Sequence, residues 1–180
     1  INKYRFYQAT TMFSQAFVQE DVNGLWVKNG IPELPHDRYN AFLACSRAPT
    51  SFDTARDAFL GYSNSVFAAR ALANGACSNS LGYFGEMCMA MHHRLTLDPG
   101  QTETLRFVTG PTTGPGEIRA LCDAVLSESA FENELERVLE TRRAEQRRTS
   151  IHTSVPSLDS LVNTWAKAQN RAGVLHRKGF

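Results

Sequence analysis

Apolar residues recur along this chain first with a period near two and then with a period near 3.6, and the switch falls close to residue 110. From Tyr4 to Glu20 the text YRFYQATTMFSQAFVQE is rich in aromatic, Thr and Val residues in partial alternation, which predicts one or two strands. Asp21-Val22-Asn23-Gly24 supplies a turn, and Gly24–Gly30 returns as a short strand. Pro32 and Pro35 mark a loop. Arg38–Ser46 predicts another strand, with Tyr39, Ala41, Leu43 and Cys45 on one face, and together these segments read as an antiparallel meander. Ser51–Ala73 interrupts it as a mostly helical or irregular excursion. In Glu86–Leu97 the alternation returns, with Met87, Met89, Met91, His93, Leu95 and Leu97 pointing one way. Asp98-Pro99-Gly100 is a turn signal, since Pro presets φ and Gly tolerates a positive one, and Glu103–Thr109 is expected to complete a hairpin.

Beyond the Gly/Pro-rich run Gly110–Gly116 the pattern is helical. Ile118, Leu121, Cys122 and Val125 share one helix face. Ser129 and Glu132 have capping-box spacing ahead of an apolar stripe at Phe131, Leu135, Val138 and Leu139. After a break at Ser154-Val155-Pro156, a last helix over Ser157–Gly173 turns Leu158, Leu161, Val162 and Trp165 inward. The expected fold is therefore mainly β with a helical tail: an antiparallel β-sandwich over 1–110, linker helices over 111–153, and the first helix of a further helical domain over 154–180.

Composition narrows the classes. With 180 residues, 42% apolar and 21% charged, the chain reads as a globular domain rather than a disordered or fibrous one. A net charge of +1 gives no field that would steer it to nucleic acid. No run approaches 18 apolar residues, so no membrane span is expected. The four cysteines (Cys45, Cys77, Cys88 and Cys122) form no C-x-x-C pair, which suits a reduced, cytoplasmic setting and offers no metal cluster. A start at Ile1 and an abrupt end at Phe180 read as part of something longer.

The stretch with the most chemistry is SFDTARDAFLGYSNSVFAARALANGACSNS, residues 51–80. Asp53 and Arg56 lie three apart, so on a helical turn they share a face. A guanidinium fork suits vicinal hydroxyls, carboxylates and phosphates, and Phe59 and Leu60 anchor the turn while Gly61 lets the chain leave it. The plainer alternative is a surface helix carrying a local Asp–Arg pair. Elsewhere the plainer readings prevail: the adjacent His92 and His93 point to opposite strand faces and cannot share a metal. Met87, Met89 and Met91 line a core, and Cys77 has no neighbouring base to make it a nucleophile. The arginine-rich run Arg137–Arg148 is interleaved with Glu136, Glu140 and Glu145, which predicts a salt-bridged helix instead of a nucleic-acid patch. Trp165 with Asn163 and Gln169 has the make-up of a sugar platform, although periodicity places the ring in a core.

Asp53-Thr54-Ala55-Arg56-Asp57-Ala58-Phe59-Leu60-Gly61, then Gly75-Ala76-Cys77-Ser78-Asn79-Ser80, then Leu97-Asp98-Pro99-Gly100-Gln101-Thr102-Glu103 resemble, in order and spacing, the amino-terminal region of the family 94 glycoside phosphorylases. That group includes cellobiose, cellodextrin, chitobiose and cellobionic acid phosphorylases. The chain departs from the pattern at Ala55, where an acidic residue is expected, and at Ala166 and Ala168, where polar ones are. The resemblance implies a supersandwich-like domain packed on a helical barrel, a homodimer, and phosphorolysis of a β-linked oligosaccharide with inorganic phosphate as co-substrate and no other cofactor. It places the general acid in the barrel past Phe180, so no residue of this chain is assigned a catalytic role and the chain alone is expected to be inactive. Arg56 and Asp53, which orients it, are assigned to substrate binding. The alternatives are a carbohydrate-binding sandwich without catalysis and a purely structural or dimerising domain.

Overall fold

The computed structural model describes residues 12–28, 40–62 and 65–170. The expected Pro32–Pro35 loop and the Tyr4–Thr11 part of the first expected strands lie outside them. Two compact units divide the chain, residues 1–130 and 131–180. The boundary expected at 110 therefore lies inside the first unit.

The described residues of the first unit form two antiparallel sheets. Strand β1 (Gln15–Gln19) pairs with β2 (Gly24–Lys28). The turn between them is a single 3-10 turn, Glu20–Val22, closed by Asn23 in the left-handed region (φ 51°), where the Asp-Val-Asn-Gly signal places it. Strand β2 pairs with β3 (Asn40–Cys45). Next in the chain come β4 (Ser51–Ala55), the five-residue helices α1 (Arg56–Leu60) and α2 (Arg70–Asn74), and β5 (Met87–His92). Strand β6 (Phe107–Thr112) then closes the first sheet in the order β1-β2-β3-β6, while β4 and β5 make the second.

This topology corrects two expectations. Ser51–Ala55 is a strand, and helix begins only at Arg56. The expected hairpin over 86–109 does not form either. The Asp98-Pro99-Gly100 turn is there, with Gly100 at φ 83° and Gln101 N donating to Asp98 O at 2.9 Å. However, the strands on its two sides join different sheets, β5 to β4 and β6 to β3. A turn signal fixes a local reversal of the chain; it does not choose the partner strand.

Helix α3 (Pro115–Val125) covers the larger sheet. Its Pro sits at the first helical position, where the missing N–H costs nothing. Thr112, Thr113 and Glu117 close its start, the Glu117 carboxylate accepting from Thr113 N at 2.6 Å. Ile118 and Cys122 bury themselves against Val22, Phe42 and Ala44, with Trp26, Val108 and Leu126 packed alongside. This packing is why the unit runs past residue 110. Across the sheet Phe17 stacks on Trp26 at 4.5 Å, worth about 0.5–1.5 kcal/mol beyond the area it buries. The smaller sheet meets the larger where β5 approaches β2.

Helix α4 (Glu128–Arg148) buries none of its residues. Its cap is Ser127, whose Oγ accepts from Ala130 N at 3.3 Å, two residues before the expected Ser129. Its arginines pair with glutamates: Arg137 with Glu134 and Arg142 with Glu145 at 3.2 Å lie three apart, the helical spacing expected, whereas Arg143 reaches Glu136, seven residues away, at 3.3 Å. In the second unit helix α5 (Pro156–Ser160) runs on through a π-helical turn, Leu161–Ala166. Trp165 is 62% exposed there, and Leu158 and Leu161 are exposed too, contrary to the inward face that periodicity predicted. A 3.6-residue stripe says which residues share a face, and the described residues of this unit do not bury that face.

Candidate functional site

The SFDT and CSNS segments come together, although not in the way their spacing implied. Asp53 lies on β4 and is fully buried, whereas Arg56 is the first residue of α1. The Asp53 Oδ1 accepts four hydrogen bonds: from Ser78 N at 3.0 Å, Ser78 Oγ at 2.6 Å, Ser80 N at 3.1 Å and Ser80 Oγ at 2.8 Å. Around it Ser51 Oγ accepts from Cys77 N, Asn79 Oδ1 accepts from Phe52 N, and Thr54 Oγ1 donates to Ser80 O while accepting from Gly82 N. The carboxylate is thus a staple that fixes residues 77–82 beside β4. Burial pushes its pKa up, but the bonds from Ser78 and Ser80 outweigh this and hold it below the ordinary value. Asp53 does not orient Arg56.

Glu86 takes that role. The Arg56 guanidinium pairs with the Glu86 carboxylate, and Arg56 N donates to Glu86 O at 3.1 Å. About 38% of the Arg56 side chain stays exposed. It lines a cleft of about 640 Å³ whose walls are α1 and the segment 81–87. Among the described residues the charged side chains of the lining are Arg56, Asp57 and Glu86, a net charge of −1. Three aromatic side chains stand at the same cleft with most of their surface free: Tyr62, Tyr83 (56% exposed) and Phe84 (70%).

Phe84 has a second peculiarity, a positive φ of 55°. The left-handed region costs a residue with a Cβ roughly 1–2 kcal/mol. The conformation is held by Phe84 N donating to Ser14 O at 3.0 Å, and by Gly82, whose N–H bonds Thr54 and whose carbonyl accepts from Ala16 N at 3.0 Å. Sequence reading passed over Tyr83 and Phe84; the signal available was the Gly82-x-x-Gly85 frame around two aromatics.

At the other end of α1, Gly61 (φ 73°) ends the helix, and an added Cβ would lie 2.9 Å from Arg70 Cβ. Arg70 bridges α1 and α2 by donating from Nε and a terminal nitrogen to Ala58 O at 3.2 and 2.9 Å. Gly61→Ala combines strain with overlap and is expected to cost about 2–4 kcal/mol, read as a lower melting temperature.

The remaining residues singled out in the sequence are structural. His92 Nδ1 lies 3.0 Å from Ser51 Oγ, which closes one end of the β4–β5 pair, so His92 is held rather than simply solvated. His93 packs edge-on against Phe107 at 5.6 Å, and burial followed by the Arg47 charge keeps its pKa low. Among the described residues no three His, Cys, Asp or Glu side chains gather as a metal site. All four cysteines are free. Burial, then the Asp53 charge, pushes the Cys88 thiol up to about 11. Iodoacetamide at pH 8 is therefore expected to leave Cys88 unmodified in the folded protein, a mass-spectrometric test in which labelling at the rate of an ordinary thiol would contradict the burial. Asn163 spends its amide on the Ile151 backbone, accepting at 2.9 Å and donating at 2.8 Å, which removes it from a sugar platform with Trp165.

Comparison with known proteins agrees with the motif order. The family model described as glycosyl hydrolase 94, supersandwich domain, matches residues 4–128. Solabiose phosphorylase from Paenibacillus borealis is 30% identical over 156 residues, which are 84% of this chain and 20% of that protein. N,N'-diacetylchitobiose phosphorylases from Vibrio furnissii and Vibrio proteolyticus are 29% and 28% identical over 129 residues, 71% of this chain and 16% of each of them. The chain thus spans about a fifth or less of the length of these relatives.

Proposed function

The chain belongs to the glycosyl hydrolase 94 family through its supersandwich domain, and from that premise we propose that it is the non-catalytic amino-terminal part of an inverting glycoside phosphorylase. That enzyme cleaves a β-linked disaccharide or oligosaccharide with inorganic phosphate and releases a sugar 1-phosphate. The observation that carries the reading is the family match over residues 4–128, supported by phosphorylases as relatives.

Phosphorolysis asks less of side chains than inverting hydrolysis does. A hydrolase needs a carboxylic acid for the leaving oxygen and a carboxylate to activate water. Phosphate is already an anionic nucleophile at neutral pH, so one general acid suffices, together with donors that hold phosphate in line with the anomeric carbon. Neither duty is assigned to residues 1–180. The contribution we assign to this domain is the cleft at Arg56, which takes part of the sugar. Its lining carries a net charge of −1, which disfavours phosphate or a sugar carboxylate and suits the hydroxyls of a neutral sugar. We further place the protein in the cytoplasm, where four free thiols persist, as a homodimer using no cofactor beyond phosphate.

The test is to incubate the full-length gene product with inorganic phosphate and a panel of β-linked disaccharides, following phosphorus NMR. A new sugar 1-phosphate resonance is expected. Sugar binding without any such resonance would turn the reading into a carbohydrate-binding module, and silence on both would leave a structural domain.

A further inference from the structure

We infer that Phe84 is the ring on which the sugar stacks in this cleft, an inference that rests on the phosphorylase reading above. The residue gains little from its surroundings. It is 70% exposed, so the fold buries little of its ring, and its backbone sits at φ 55°, where a glycine or asparagine would sit more easily. A side chain that stabilises the domain so little, on a backbone it strains, is explained when it meets something outside the domain.

The neighbourhood states the chemistry of that something. One wall of the cleft carries the Arg56–Glu86 ion pair, a fork of donors beside a carboxylate acceptor. The segment 81–87 presents Tyr83 and Phe84 between Gly82 and Gly85. A pyranose has this same division, an apolar C–H face and a rim of hydroxyls that both donate and accept. A flat apolar peptide would leave the ion pair unanswered, and an anion would meet a lining that is negative on balance. The segment is also firmly seated: Gly82 bonds β1 and β4, and Phe84 N bonds Ser14 O. At Gly82 an added Cβ would press on the flexible Met87 side chain, 2.3 Å from its Sδ, and would lie 3.1 Å from Thr54 O, a tight contact between this segment and β4. The backbone that carries the ring is therefore fixed before the sugar arrives, which lowers the ordering cost of binding.

The experiment uses the full-length enzyme with its best disaccharide and three variants: Phe84→Gly, Phe84→Asn and Phe84→Tyr. Glycine and asparagine both suit a positive φ, so each removes the ring without adding backbone strain, and asparagine does so without glycine's extra freedom. Phe84→Gly and Phe84→Asn are expected to keep or raise the melting temperature while KM for the disaccharide rises about tenfold, the scale of one stacked ring, and KM for phosphate stays put. Phe84→Tyr should restore the disaccharide KM. Retention of the parental KM in the glycine and asparagine variants would overturn the inference, and so would a drop in melting temperature that accounts for their loss of activity. A parent that releases no sugar 1-phosphate would instead overturn the phosphorylase reading, and the inference with it.

Discussion

Asp53→Ala is expected to lower the melting temperature of the supersandwich unit by roughly 10–15 °C, corresponding to about 3–4 kcal/mol. The carboxylate is fully buried, and one of its oxygens answers four donors on Ser78 and Ser80. Alanine leaves two backbone N–H groups and two hydroxyls without that acceptor, each costing up to a few kcal/mol unless water reaches it. Asp53→Asn keeps an acceptor oxygen and should lose less, about 1–2 kcal/mol. The two losses differ because the damage lies in the orphaned donors as well as in the missing charge. The same staple gives a pH dependence of known sign. Its folded pKa lies below the ordinary 3.8, so the unfolded chain takes up the proton first as pH falls. The contribution is complete well above pH 3.8 and is lost as pH drops through that value toward the lower, folded one. Denaturation between pH 7 and 3 should therefore show a shallower acid slope in Asp53→Asn than in the parent. Equal slopes and equal melting temperatures would mean that the four bonds do not hold the 77–82 segment.

Arg56→Ala in the full-length enzyme is expected to cut kcat/KM for the disaccharide about 10- to 100-fold, the worth of a charged hydrogen bond to substrate. Stability should barely move. Both partners of the Arg56–Glu86 pair keep about two-fifths of their side-chain surface in solvent, and exposed pairs contribute at most about 1 kcal/mol. That contrast separates a binding role from a structural one. Arg56→Lys should recover little, because an ammonium lacks the planar fork that spans two vicinal hydroxyls. Steady-state kinetics and a melting curve on the same preparations decide the matter; an unchanged kcat/KM in Arg56→Ala would remove the residue from the site.

The sequence made some of this plain and hid the rest for identifiable reasons. Strands β2 and β3, the Asn23 turn and helix α3 announce themselves through hydrophobic period and turn chemistry. Strand β4 does not. Its five residues include Ser51, Asp53 and Thr54, polar groups buried only because residues 77–82 satisfy them, and a pattern rule reads such a string as solvated. Asp53 and Arg56 form no pair for a related reason: helical spacing holds only from Arg56 onward, and Asp53 lies on the strand before it. Partners distant in sequence, such as Glu86 for Arg56, leave no periodic trace. The motifs themselves were legible, and what the structure changed is their division of labour: Asp53 supports and Arg56 faces outward.

The separation of β5 from β6 has a consequence for how such a domain can change. Chain leaves the four-stranded sheet at Ser46 and rejoins it at Arg106, where Ser46 N donates to Arg106 O at 2.9 Å and Arg106 N to Ser46 Oγ at 3.1 Å. Everything between, including the cleft and its aromatic rim, is a cassette whose entry and exit are a hydrogen-bonded gate. Lengthening or shortening such a cassette alters closure entropy only logarithmically, by about 0.6 kcal/mol per doubling. Segment 61–69 can therefore be exchanged while β1, β2, β3 and β6 keep their register, whereas 81–86 is bonded to Ser14 and Ala16 and changes only together with β1, so one wall of the cleft is free to diversify and the other is tied to the scaffold.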